Sequence, residues 1–153
     1  GLYRGQCAEL CLGAHAYMRF RVVASEEDEF NAWAATFEPT RLQQVQATPV
    51  NEQVAAGQAL FKTKGCANCH AVSGYAQGQG APNLTNFGVR TSLAAGVADN
   101  TPENLARWLR NPQELKPGNL MPTLWAANDP NRETEIAAVV AYLESLGTEP
   151  GLT

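Results

Sequence analysis

An all-α domain with long loops between its helices is the fold class predicted for the larger part of this sequence, with a short mixed piece in front of it. Three observations carry that reading. Apolar residues recur at helical period over 51–64, 102–111 and 131–146. The stretches between those runs are rich in turn formers and lack a comparable period. The run Cys66-Ala67-Asn68-Cys69-His70 stands directly behind the first of these helices.

In chain order, residues 1–15 read as loop. Met18, Phe20 and Val22 alternate with Arg19, Arg21 and Val23, so 16–24 reads as a strand. Its apolar face is too small to stand without a sheet. Ser25 with Asp28 three residues on is a helix start signal. Phe30, Trp33, Ala34 and Phe37 then set a helix over 26–37, with Trp33 and Phe37 as packing residues. Residues 38–49 hold two prolines and three glutamines and read as a linker. Asn51 caps a helix running to Lys64, with Val54, Gly57, Leu60 and Phe61 on one face. A glycine inside a helix costs about 1 kcal/mol relative to alanine, so Gly57 marks the close approach of another helix. Residues 71–100 read mostly as loop, with a short helix at 91–97. Thr101-Pro102-Glu103 starts the next helix, with a cap, a proline in the first turn and an acid at the positive end. Leu105, Trp108 and Leu109 are its buried stripe and Pro112 its stop. Residues 113–129 are loop again. Ile136, Val139, Val140, Leu143 and Leu146 set the last helix over 131–146, ended by Gly147, with Tyr142 packing over Gly57. The partition is therefore 1–37, a linker at 38–49, a domain at 50–148 and a tail at 149–153.

Composition limits the function classes. Of 153 residues, 44% are hydrophobic and 17% charged, which suits a packed core and argues against simple disorder. The net charge is −4 and the 11 Lys and Arg residues are scattered, so nucleic acid is not an expected partner. No apolar run approaches the roughly 20 residues that span a bilayer, and no leader is visible. The chain opens at Gly1-Leu2-Tyr3, at the edge of a motif, and is expected to be a segment of something longer. All four cysteines fall in two clusters, Cys7 with Cys11 and Cys66 with Cys69. A structural disulfide framework would scatter them.

The run from Cys66 to His70 has the spacing of a covalent c-type haem attachment site. Two thiols form thioethers to the haem vinyls and the adjacent imidazole reaches the iron. The second axial ligand must come from His15, Met18 or Met121. Met121 is the natural one, because Asn119-Leu120-Met121-Pro122 lies on a loop and not on an apolar helical face. A thioether favours ferrous iron and raises the potential. Two filled axial positions favour outer-sphere electron transfer over catalysis. Pro82 and Asn83 are expected beside His70, the Pro82 carbonyl fixing the imidazole through its other nitrogen. Arg90 and Trp108 are candidate propionate contacts. The competing readings are a zinc or redox Cys-x-x-Cys site, a core-filling Met121, an ordinary turn at Pro82 and a surface charge at Arg90.

The second constellation is Cys7-x3-Cys11-x3-His15-x2-Met18. Two thiolates, an imidazole and a thioether form a soft donor set suited to copper. Both cysteines lie in one loop and can bridge two copper ions, and Glu9 between them can add a backbone carbonyl. A zinc site from Cys7, Cys11 and His15, or a plain disulfide, are the alternatives.

Both halves resemble known families. The run from Tyr3 to Cys11, with His15 and Met18, resembles the binuclear copper A loop of cytochrome c oxidase subunit II. Residues 51–146 resemble a class I cytochrome c domain. Their order is that of oxidases whose subunit II carries a fused cytochrome c. The resemblance implies a class I cytochrome c fold preceded by the last loop, strand and helix of a cupredoxin β-sandwich. It implies copper bridged by Cys7 and Cys11, His15 and Met18 as terminal ligands, and Glu9 as the main-chain donor. It implies one covalent haem c on Cys66 and Cys69 with His70 and Met121 on the iron. That copper site has a further histidine on an earlier strand, which these residues do not include, so an incomplete or empty copper site is expected. The loop is expected to be disordered or to lie against the haem domain. The implied partners are subunit I and other oxidase subunits, and a soluble donor such as a cytochrome. The implied place is the outer face of a bacterial cytoplasmic membrane, anchored in the parent protein and soluble as this piece, with no oxygen chemistry in the chain itself. The other candidate functions are the cytochrome domain of a nitrous oxide or nitric oxide reductase, a soluble monohaem carrier whose Cys7 and Cys11 are disulfide-linked, and a peroxidase-like haem enzyme.

Overall fold

The computed structural model describes residues 1–11, 13–37 and 49–147. All but the last residue of the predicted linker at 38–49, and the whole predicted tail at 149–153, lie outside the described residues. Strands β1 (Leu2–Gln6) and β2 (Arg19–Val23) form an antiparallel ribbon with Leu2 opposite Val23 and Gln6 opposite Arg19. The sequence reading had 1–15 as loop throughout. β1 is missed because its short run contains Gly5, and that glycine is what the pairing uses. The Phe20 ring from β2 occupies the space a Cβ at Gly5 would need. Helix α1 (Glu27–Ala35) follows. Its N-cap is Glu26 and not Ser25, and no side chain caps it. The three acids of its first turn, Glu27, Asp28 and Glu29, face the positive end of the helix dipole. Phe30, Trp33 and Phe37 stack in sequence, with centroids 5.7 and 4.7 Å apart.

The rest is helical. Helix α2 (Glu52–Thr63) is capped by Asn51, whose Oδ1 accepts from the Val54 amide at 2.9 Å. A short α3 (Cys66–Cys69) follows, then α4 (Pro102–Arg110), α5 (Pro112–Leu115) and α6 (Arg132–Glu144). Thr101 caps α4 through its hydroxyl, which accepts from the Asn104 amide at 3.3 Å. Pro112 ends α4 as expected, yet it also opens α5, because Asn111 caps the new turn by accepting from the Gln113 amide. The 113–129 stretch is therefore not all loop.

α2 and α6 make the most extensive contact between elements, and α4 packs on α6 as well. A Cβ at Gly57 would overlap the Ala138 carbonyl and reach 2.8 Å from the Tyr142 Cβ. The glycine lets the two backbones meet, with Tyr142 over it as its position predicts. Phe61 and Tyr142 add an edge-to-face pair at 5.5 Å, and Tyr75 joins them. Phe61, Leu105, Trp125, Ile136, Val139 and Leu146 are sealed from solvent. Trp125 donates its indole N–H to Glu135 Oε2 at 2.7 Å, and the Lys64 ammonium sits on the same carboxylate.

Two small ribbons border the loops: β3 (Ala71–Val72) with β4 (Ala76–Gln77), and β5 (Ser92–Leu93) with β6 (Ala98–Asp99). The second replaces the helix expected at 91–97. Ala94, Ala95 and Gly96 take φ of 54°, 62° and 74°. Three consecutive left-handed residues turn the chain back on itself, which right-handed helix cannot do. Among the described residues no helix is long and apolar enough to cross a membrane.

Two outcomes follow from this packing. Gly57→Ala gains helix propensity but meets the α6 backbone, and overlap of that kind costs more than propensity returns. Denaturant unfolding should show a loss of about 2 kcal/mol. The second outcome concerns Glu135, whose carboxyl is held below the usual range by hydrogen bonds from Lys64 and Trp125. Its stabilising contribution is present above the unfolded-state pKa, about 4.3, and is lost as pH falls through the lower folded value. The stability difference between wild type and Glu135→Gln should be constant near neutrality and shrink only in acid. Unfolding midpoints measured across pH test this.

Candidate functional site

The short helix α3 is where the two cysteines of the second cluster are placed. Gly65, at φ 83°, turns the chain out of α2 and into α3. One helical turn then sets Cys66 and Cys69 three residues apart on one face. The chain leaves α3 extended at His70, whose amide still donates to the Cys66 carbonyl at 2.9 Å. The His70 Nδ1–H donates to the Pro82 carbonyl at 2.7 Å. That bond leaves Nε2 as the free acceptor of the neutral ring. Gly78, directly after β4, lets the chain lie against this corner, since a Cβ there would overlap the Cys69 backbone. The two thiols differ. Cys66 is 8% exposed and burial pushes it up to about 11, whereas Cys69 is exposed.

Cys66, Cys69, His70, Pro82, Arg90, Trp108 and Met121 all line one cavity of about 600 Å³. The remaining wall is largely apolar, including Phe61, Leu84, Phe87, Leu93, Leu105 and Leu109. Asn83 does not line it. Its Oδ1 accepts from the Thr85 amide and hydroxyl and so shapes the turn that carries Pro82. Met121 is held by an Asx turn that residue-type reasoning passed over. Asn119 Oδ1 accepts from the Met121 amide at 2.8 Å, and the Asn119 amide nitrogen donates to the Lys116 carbonyl at 2.7 Å. An Asn two residues before the methionine is the signal that would have found it. Lys116 and Ala94 were also missed. The Lys116 ammonium donates to the Ala94 carbonyl at 3.1 Å, and burial lowers its pKa.

Arg90 carries the electrostatics of this cavity. Its guanidinium donates to the Asn83 carbonyl and, at 3.1 Å, to Asn86 Oδ1. Burial pulls its pKa below the ordinary value. Among the described residues no carboxylate pairs with it. A half-buried cation held only by neutral acceptors suits an anionic group entering the cavity. The donors and the shape together fit a flat, apolar prosthetic group with acidic substituents: two thiols for covalent attachment, a pre-oriented imidazole, a thioether and a half-buried arginine.

The first cluster occupies the loop between β1 and β2, closed by the Cys7 amide donating to the Met18 carbonyl at 2.9 Å. The ribbon brings its ends together, and a single 3₁₀ turn at His15–Tyr17 swings His15 inward. Cys7 Sγ and Cys11 Sγ lie 3.6 Å apart, Cys11 Sγ and His15 Nδ1 3.2 Å, and Cys11 Sγ and Met18 Sδ 3.9 Å. The Glu9 carbonyl accepts from Cys7 Sγ at 3.2 Å. The Cys11 thiol is raised from its ordinary value by its hydrogen bond with Cys7 and by burial. The donor atoms of Cys7, Cys11 and His15 all fall within 4.8 Å of one another, a compact soft set that fits a thiophilic metal.

The family model described as cytochrome c matches residues 54–147. Among curated proteins, the chain is 41% identical over 151 residues to cytochrome c oxidase subunit 2 of Alkalihalophilus pseudofirmus, a match covering 95% of this chain and 40% of that protein. The protein of the same name from Bacillus sp. (strain PS3) is 39% identical over 154 residues, covering 97% and 40%. The one from Bacillus subtilis is 34% identical over 152 residues, again covering 97% and 40%. The chain thus spans about 40% of the length of these relatives. With the family model matching well over half of its length, the chain belongs to the cytochrome c family, and it is homologous to a part of cytochrome c oxidase subunit II that includes a cytochrome c domain.

Proposed function

We propose that this chain is the electron-entry part of a haem–copper oxygen reductase, receiving electrons from a soluble donor and delivering them toward the oxidase core. The observation that carries the reading is the single cavity bordered by Cys66, Cys69, His70 and Met121, with His70 already oriented by Pro82. A haem c bound there, and a copper pair in the Cys7–Met18 loop, would each supply a one-electron couple. The chain's own residues do the rest. Cys66 and Cys69 hold the haem covalently. His70 Nε2 and the Met121 thioether would be the chain's two donors to the haem iron. The Pro82 carbonyl fixes the imidazole plane and raises its basicity. Arg90 neutralises propionate charge, and Trp108 borders the same cavity. The apolar wall excludes water and limits reorganisation when the charge changes. Leu120, 98% exposed beside Met121, offers the donor an uncharged docking point. In the first cluster Cys7, Cys11, His15, Met18 and the Glu9 carbonyl would hold the copper, the set being completed by a histidine from outside these residues. The partition into a cupredoxin piece at 1–37, a linker at 38–49 and a cytochrome domain at 50–148 belongs to the same proposal. So does placement on the outer face of the membrane beside subunit I. A tethered cytochrome then serves its acceptor at high effective concentration.

The test is iron and copper per chain together with the absorption spectrum. One iron with a c-type spectrum is expected, and a chain that matures without covalent haem would overturn the reading. Two coppers would mean the loop loads without the outside histidine. Asn119→Ala gives a finer check. It releases the Met121 amide, and a lost hydrogen bond of about 1 kcal/mol should raise the methionine-dissociated fraction roughly fivefold. Cyanide binding to the ferric protein should quicken by that factor while covalent haem content stays the same.

A further inference from the structure

The ribbon β5–β6 has two working sides. On one, Leu93, Ala94 and Ala95 line the large cavity, and the Ala94 carbonyl takes the Lys116 ammonium. On the other, the Ala95 carbonyl accepts from the Arg19 amide at 3.1 Å, and a Cβ on Gly96 would touch Arg19 at 3.4 Å. The left-handed run at 94–96 is what aims those two carbonyls in different directions. Two alanines in that conformation are strained, and such strain persists only where surrounding contacts over-determine it.

Arg21 closes this contact from β2. Its side chain is 14% exposed. One guanidinium nitrogen donates to the Thr91 carbonyl at 3.1 Å and the other to Asp99 Oδ1 at 2.5 Å. Asp99 is anchored in turn, since Asn104 on α4 donates to its carbonyl at 3.0 Å. The Arg21 pair holds the Asp99 carboxyl below its usual range. A second touch lies at the loop tips. Gly13, in the Cys7–Met18 loop, and Gly118, three residues before Met121, both have positive φ. A Cβ on Gly118 would stand 3.2 Å from the Gly13 carbonyl. Neither position has room for a side chain.

We infer that β5–β6 is an intramolecular docking surface whose partner is the β1–β2 ribbon, with Arg21 as the positioning residue that lays the Cys7–Met18 loop against the Met121 loop. The purpose of that placement rests on the two-site reading above, but the docking itself does not. It fixes one orientation between the two donor sets, with the backbones at Gly13 and Gly118 in contact. The strain at 94–96 is then the shape a single ribbon must take to serve both sides.

The experiment is amide hydrogen exchange, by NMR, on the reduced haem-loaded chain. Arg21→Ala removes both guanidinium bonds. Exchange at the Arg19 amide should accelerate roughly tenfold, the equivalent of about 1.4 kcal/mol. Exchange within α2 and α6 should not change, which separates undocking from unfolding. Asp99→Asn keeps the Thr91 bond and an oxygen acceptor, so its acceleration should be smaller. Unchanged exchange at Arg19 in Arg21→Ala overturns the proposal, and so does an acceleration spread equally over α2 and α6. The absorption spectrum keeps the two readings apart. A wild-type chain without a c-type spectrum speaks against the haem, whereas a normal spectrum with unaltered Arg19 exchange speaks against the docking alone.

Discussion

The approach of α2 to α6 at Gly57 is the constraint on which the rest of this molecule depends. Phe61 against Tyr142 and Lys64 on Glu135 extend the same contact. Once the two backbones meet, 65–131 must bridge the gap with little regular structure. That stretch returns to the frame at a handful of points. The Tyr75 hydroxyl donates to the Gln58 carbonyl, Trp125 donates to Glu135, and the Gly88 amide donates to the Leu146 carbonyl. Between these ties α4 packs on α6, and the loops on either side of it wrap around the cavity. Protein interiors are close-packed, so an apolar cleft of about 600 Å³ reaching into this core suits the seat of a group that would complete it.

How the site is held follows from that economy. Its reactive side chains come from short elements, and each is aimed by a backbone carbonyl or an Asx turn, not by a long helix. His70 is aimed by Pro82, Met121 by Asn119, and the Pro82 turn by Asn83. The same device recurs in the β1–β2 loop, where a ribbon supplies the ends and one 3₁₀ turn supplies the histidine. Local geometry does the positioning in both places, and the larger fold only brings the local pieces together.

Much of this was legible in the sequence. The spacing of Cys66, Cys69 and His70 is readable because the proposed covalent attachment would need those types at that interval. Gly57 is readable because a helix tolerates glycine poorly without cause. Thr101 and Asn51 are readable because caps are local chemistry. What escaped depends on partners far along the chain. β1 is a strand only because β2 pairs with it, and Gly5 concealed it by weakening its own pattern. The stretch 91–97 has the composition of a short helix, yet neighbours on two sides demand a reversal there, and propensity is silent about neighbours. The roles of Arg21 and Asp99 are of the same kind, since 78 residues separate them.

The unequal burial of Cys66 and Cys69 bears on the order of assembly. Thiolates, not thiols, form bonds to carbon. In the finished fold the Cys66 sulfur is turned from solvent onto the cavity wall and burial raises its pKa, while Cys69 is exposed. A chain that closed early would offer a single competent attachment point. If both sulfurs hold the proposed haem, double attachment would belong to the nascent, open chain, before its first and last helices meet, and the closed fold would then act as a lock on a step already completed.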